Sequence, residues 1–401
     1  MGFALSPLCA AVSLGAFVSI FACQSADPPV PTPPGQTVRL VGSPTLVTLD
    51  GKVGMDLAVS IPVTGRYRVT INGKAATPST VWIEDYIHNT DGRTYDITGP
   101  LELAASGVVT VDGSPLQEGD HQMRVHSSEP ATVQAISFKL LRRHTDTPIV
   151  LQQEVAGDGP WKVVWADEFD EQGPVDPSKW TSDLGNWGWG NREPQYYTEG
   201  ETDNARQEAG NLVIEAHPNV DGHAWTSARL TTRGKVGFLY GRIEIRAKVP
   251  STDGTWAAGW LLGDDYRDEI SWPYCGEIDV MEAVGKEIDD ETTDGINHGS
   301  CHTREFYFKQ GNHISEVHPV KDMQGTFHVY AVEWTPEEVR LYVDDVHYYT
   351  YNQHGTPEAW PFDRPQNLIL NLAMGGGMGG EIAPDAGVQR IVVDYVRVLG
   401  R

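Results

Sequence analysis

Basic residues are scarce in this chain: 30 Lys and Arg stand against 55 Asp and Glu in 401 residues, a formal net charge of −25 at pH 7. Such a surface repels polyanions at range, which argues against nucleic acid or an anionic membrane face as a partner and suits a neutral ligand. Cysteine is nearly absent as well, with four residues of which Cys9 and Cys23 fall in the first 23 positions. The rest of the chain therefore cannot be a disulfide scaffold, and Cys275 and Cys301 read as two unpaired thiols with no CxxC spacing to suggest a zinc site. Long apolar runs are missing too. The longest candidate, LCAAVSLGAFVSIFAC over residues 8–23, falls short of the roughly 20 residues that a comfortable membrane span needs.

That run reads instead as an export signal, residues 1–23,. Cys23 closes it and the Pro-rich stretch ADPPVPTPPG follows at once, a pattern similar to a lipoprotein signal whose cysteine is lipidated after cleavage. The expected location is secreted, or on the outer membrane or cell surface through a lipid anchor at Cys23. After a Pro-rich linker at 24–36, short runs with period-2 alternation recur between turn signals, among them DLAVSIPV, YRVTING, TVWIEDY and TVQAISFKLL. Their spacing predicts a small β-sandwich over 37–143. A second linker, 144–160, leads to a larger region, 161–401, which is again all strands: NLVIEAH, YGRIEIRAKV, EIDVMEAV, VRLYVDDV, NLILNLAM and IVVDYVRV.

No long amphipathic helix interrupts these strands, which excludes a (β/α) barrel or a doubly wound sheet. An all-β sandwich of two large antiparallel sheets remains, with a concave face as the natural site for an extended ligand. The chain is expected to act as a monomer. The glycine-rich GGGMGG, residues 375–380, lacks the helix that a phosphate loop requires and reads as a close-packed loop near the cleft.

The segment GEIDVMEAVG places Glu277, Asp279 and Glu282 among apolar residues on a central strand, where a carboxylate is costly unless it is used or paired. Plain alternation would put Glu277 and Asp279 on one face and Glu282 on the other. A one-residue bulge around Val280 and Met281 would return Glu282 to the shared face. Three crowded acids cannot all ionise at their ordinary pKa, so one should hold a proton near neutral pH, as a general acid must. A retaining glycosidase needs two carboxyls about 5 to 5.5 Å apart. A straight strand would separate the α-carbons of Glu277 and Glu282 by about 16 Å, so long side chains, a bulge and a curved strand are all required. The plainer alternative is a strand whose acids face solvent or bind calcium. Trp187 and Trp189 in GNWGWGNREPQYYTEG, Trp256 and Trp260 in GTWAAGWLLG, and Trp272 in ISWPYCGE sit among Gly, Asn and Asp. That is cleft-edge composition, although each could equally be a core residue.

GEIDVMEAVG closely resembles the signature of glycoside hydrolase family sixteen in the bulged form found among laminarinases. WKVVWADEFDEQGPVDPSKW, WGWGNREPQYYT, SARLTTRGKVGFLYGRIEIRAKVP, GTWAAGWLLG, FHVYAVEWTPEEVRLYVDD, NLILNLAMGG and VVDYVRV follow as similar blocks in family order across about 161–399. The resemblance implies a β-jelly-roll, concanavalin A-like sandwich and a retaining double displacement with no cofactor for catalysis. It casts Glu277 as nucleophile, Glu282 as general acid/base, Asp279 as the assisting carboxylate and His302 as a histidine beside the catalytic strand. Asn191 and Arg242 would contact substrate, and Trp187, Trp189, Trp256, Trp260 and Trp272 would shape the sugar subsites. It further implies one structural calcium held by Glu168, the backbone of Gly210 and Asp394, two acids that could otherwise be simple strand-edge residues. Met378 stands where the family commonly has a tryptophan. The expected substrate is a neutral β-glucan with β-1,3 or mixed linkages. An agar-type galactan is the alternative, and a catalytically silent glucan-binding protein the alternative of another class. The first sandwich loosely resembles carbohydrate-binding modules, with Trp82, Tyr86 and Tyr95 as sugar platforms or packing residues.

Overall fold

Alternation of side chains decides which face of each strand is buried. In the strand Gly241–Lys248, Ile243, Ile245 and Ala247 are fully buried while Glu244, Arg246 and Lys248 lie partly open. In Gly65–Ala75 the same period buries Tyr67, Val69 and Ile71. The computed structural model describes residues 37–41, 47–49, 52–85, 94–103, 107–155, 159–200 and 202–401, and assembles such strands into four sheets.

Two of them make the large sandwich. The cleft sheet has nine strands, with Gln366–Met374, Thr255–Gly263, Glu277–Val284, Gly295–His302 and Ile314–Val320 side by side. The back sheet has ten, centred on Asn211–Val220, Gln389–Gly400, Gly241–Lys248 and His328–Trp334. Between them Ile278, Val280, Leu368, Leu370 and Leu372 meet Ile243, Ile245, Val396 and Val398 in one core. The fold is an all-β jelly-roll sandwich preceded by a smaller one. Helix is confined, among the described residues, to short turns, one of them Gly376–Gly379 inside GGGMGG.

The smaller sandwich packs a four-stranded sheet, which includes Gly65–Ala75, Gly107–Leu116 and Ala131–Arg143, against a six-stranded one, which includes Lys52–Ile61, Ser79–Asp85 and Gly119–Ser127. Of its three aromatic candidates, Tyr95 is buried and Trp82 stacks on His126 with ring centroids 4.9 Å apart. Tyr86 lies outside the described residues, as do Cys23 and the leader.

The 144–160 segment differs from the expected linker. Val150–Gln152 pairs in parallel with Gly237–Leu239 at the edge of the cleft sheet, because the apolar IVL run finds an unpaired edge that its Pro- and Gly-containing flanks conceal in the sequence. The two sandwiches also meet directly. The backbone amide of Asp112 donates to the Asn186 side chain, and the Asn186 amide donates to the Asp112 carbonyl, both at 3.0 Å. Gly113, at φ +88°, fits there because a Cβ would run into the Leu184 carbonyl oxygen. Gly113→Ala should therefore lower stability by about 1–3 kcal/mol, a fall of several degrees in Tm. A thermal unfolding curve identical to wild type would contradict this close approach.

Candidate active site

The acidic strand breaks register between Asp279 and Glu282. Asp279 faces Ser300 on one neighbour and Glu282 faces His298, so that two residues oppose the single Gly299. On the other side Met281 pairs with Gly259 and Asp279 with Trp260, leaving Val280 as the extra residue. Val280 and Met281 both turn into the inter-sheet core. That double step brings Glu277, Asp279 and Glu282 onto one wall of a cleft of about 500 Å³, as a bulge does.

Each acid has its own donor. Trp272 Nε1 donates to Glu277 Oε2 at 3.0 Å, Trp256 Nε1 to Glu282 Oε1 at 3.0 Å, and Ser300 Oγ to Asp279 Oδ2 at 2.5 Å. His302 Nε2 lies 3.4 Å from Asp279 and 3.9 Å from Glu277. Burial, with the nearby His313 adding to it, pushes His302 down to about 3, so the ring is neutral,. Burial also raises all three acids. Asp279 is pushed up to about 7, and Glu277 and Glu282 well above the usual range, with the Asp279 charge adding to both. Against this, the Trp272 N–H and the Arg229 guanidinium favour an ionised Glu277. The wall thus carries fewer than three charges at neutral pH and keeps at least one proton, as acid-assisted displacement requires.

Trp189, Trp256, Trp260 and Trp272 line the cleft with Asn191, whose amide donates to Glu193 at 3.1 Å. Met378 sits on its rim. Trp187 also borders it, yet only 2% of its surface is exposed and it belongs to the core of the smaller sandwich. Cys275 and Cys301 are both free and buried.

One expectation needs correction. Arg242 lies on the back sheet with its side chain opposite to the core-facing Ile243, and it is held by Glu244 at 2.7 Å, Glu333 at 3.1 Å and Asp345 at 2.6 Å. It contacts no part of the cleft, because alternation sends it to the outer face of the wrong sheet. Of the residues implied for calcium, Glu168 and Asp394 are each paired with an arginine. Arg397 grips both oxygens of Glu168 at 2.8 Å, and Arg246 pairs with Asp394. Among the described residues the only convergent set of His, Cys, Asp and Glu is Glu277, Asp279 and His302, which is the acidic wall itself.

The sequence reading missed Arg229, Asn371, Ser300 and Glu193, all of which line the cleft. Arg229 lies over both Trp189 and Trp260, at 4.8 and 4.7 Å from their ring centroids, and Asn371 accepts from Trp260 Nε1 at 2.8 Å. A buried Arg in SARLTTRG was the available signal.

The model of the glycosyl hydrolases family 16 matches residues 192–397. The chain belongs to this family. It is 48% identical to a beta-glucanase of Rhodothermus marinus, over 59% of this chain and 85% of that one. It is 33% identical to a glucan endo-1,3-beta-glucosidase of Cryptopygus antarcticus, over 58% of this chain and 88% of the relative. The solved laminarinase of Rhodothermus marinus superposes with a TM-score of 0.56 at 44% identity, covering 60% of this chain and 98% of that structure. The family 16 chain is thus a glycoside hydrolase, whose chemistry needs no catalytic cofactor.

The raised acids give a pH signature. Folding raises the proton affinity of Asp279 from 3.8 to about 7, so its contribution to stability is complete at low pH and is lost as the pH climbs through about 7,. Asp279→Asn cannot ionise. It should unfold at a temperature on the order of 5–10 °C above wild type at pH 8, with the gap closing towards pH 4. Calorimetry at both pH values checks this, and a gap that does not change with pH would contradict it.

Proposed function

We propose that the chain is a retaining endo-β-1,3-glucanase that cuts laminarin-like or mixed-linked β-glucan, with Glu277 as nucleophile and Glu282 as general acid/base. The observation that carries the reading is the convergence of two indole-bonded glutamates and Asp279 on one wall of a tryptophan-lined cleft. In the first step Glu277 attacks the anomeric carbon while Glu282 gives its proton to the departing glycosidic oxygen. In the second, Glu282 takes a proton from water, which displaces Glu277 and releases the sugar with its β configuration restored. Asp279, between the two, raises the proton affinity of Glu282 through its charge, and Ser300 holds it in place.

The partly exposed indoles of Trp256 and Trp260 offer faces for neutral sugar rings, with the buried Trp189 and Trp272 lining the cleft beside them, in keeping with the shortage of positive charge. The names of the relatives support β-glucan as the substrate, the Cryptopygus antarcticus protein being an endo-1,3-beta-glucosidase. A silent glucan-binding role is disfavoured because both glutamates are present and face the cleft. We further propose that the enzyme acts outside the cell as a monomer, exported by residues 1–23 and either released or held by a lipid on Cys23.

Incubation of the purified chain with laminarin, lichenan, agarose and carrageenan should release short oligosaccharides from the first two. Glu277→Gln, which keeps the shape and removes the nucleophile, should lower that rate at least about a thousandfold. Release from agarose alone would move the substrate to the galactans, and a Glu277→Gln variant with near wild-type rates would sink the assignment of the nucleophile.

A further inference from the structure

We infer that the N-terminal sandwich braces the catalytic cleft from behind its lining rings, and that Arg66 on its strand Gly65–Ala75 is a positioning residue for the aromatic side chains that meet the sugar at that end. This deepens the glucanase reading above and rests on it.

The contact begins with a loop that has little means of holding its own shape. Gly188, Trp189, Gly190 and Arg192 all have positive φ, at +86°, +53°, +78° and +59°. For Trp and Arg that region is strained and persists only when the surroundings enforce it. The enforcing surface is the smaller sandwich. Trp187 and Trp189 are buried in one cluster with its Tyr67, Val69, Val111 and Phe138, and Gly99 lies against the Trp187 carbonyl.

Arg66 carries this support to two rings that line the cleft. Its side chain is 14% exposed and pairs with Asp183 at 3.5 Å. Its guanidinium lies 5.5 Å from the Trp189 ring centroid and 5.8 Å from that of Tyr266, and both rings line the cleft. Arg229 also lies over Trp189 and continues to Trp260, while Asp183 also accepts from Arg229 at 3.1 Å. The result is a series of Tyr266, Arg66, Trp189, Arg229 and Trp260, rings and cations alternating around one buried anion. Within it, Arg66 alone comes from the smaller sandwich. On a second flank the cleft-lining Lys309 lies 5.9 Å from the Tyr95 ring.

An indole binds a sugar face well only when its plane is already fixed, since ordering it on binding costs affinity. A sandwich tethered by a loose linker could not fix it. Here the connecting segment is paired into the cleft sheet through Val150–Gln152, and the Asp112 and Asn186 backbones are bonded to one another's residues.

The test is steady-state kinetics of the full chain and of its Arg66→Met and Arg66→Lys variants on β-1,3-gluco-oligosaccharides of increasing length. Arg66→Met should raise KM for the longest oligosaccharides about tenfold while kcat changes less than about threefold, because the lost interaction is one of binding. The defect should shrink for oligosaccharides too short to reach Trp189, and Arg66→Lys should restore part of the lost affinity. If Arg66→Met does not fold, Arg66→Gln takes its place in the same series. A variant with a lowered Tm but wild-type KM at every length would overturn the proposal and leave Arg66 a purely structural residue. If wild type instead cleaves only galactan, the glucanase reading fails, and the same KM series on galactan oligosaccharides decides the role of Arg66 separately.

Discussion

Between Asp279 and Glu282 the acidic strand carries two residues that both face the core, Val280 and Met281, and the chemistry of the cleft depends on that step. Without it Glu282 would point between the sheets, where an ionised carboxyl with no partner is prohibitively costly. With it, three acids share one wall, and the cost is spread over donors that the fold supplies from three neighbouring segments: Trp272 before the strand, Trp256 on one neighbour and Ser300 on the other. The bulge is stabilised in turn by the core, since Val280 and Met281 are fully buried and removing either would leave a hole or shift the register.

Crowding and burial then set the charge state. Burial opposes ionisation of every group on the wall, and the charge of Asp279 adds to the effect on both glutamates. The asymmetry comes from further away, where Arg229 lends positive potential to Glu277. Arg229 belongs to the same buried set as Asp183, Arg66 and Arg233, in which the cations more than offset the burial of Asp183 and hold its carboxyl below the usual range. One network therefore links the ionisation of the nucleophile, the orientation of Trp189 and the attachment of the smaller sandwich.

Much of this was legible from residue order. Period-2 alternation marked the strands, and the failure of alternation in EIDVME pointed to the bulge, because only a bulge lets all three acids share a face. Sheet membership was not legible. YGRIEIR shows that Arg242 opposes Ile243 but not that the strand lies in the back sheet, so its outer face is remote from the cleft. The pairing of Glu168 with Arg397 and of Asp394 with Arg246 likewise appears only in three dimensions. Trp187 and Trp189 were read as cleft-edge residues from their glycines. Those glycines instead serve a left-handed turn that presses both indoles into the smaller sandwich.

The role of the bulge is tested most directly by removing the carboxyl that it turns into the cleft. Glu282→Ala should still form the glycosyl-enzyme from an aryl β-glucoside with a good leaving group, and added azide should accelerate its breakdown and yield the β-glycosyl azide. Absence of rescue, or an α-glycosyl azide, would contradict a general acid/base at Glu282 acting opposite a nucleophile at Glu277.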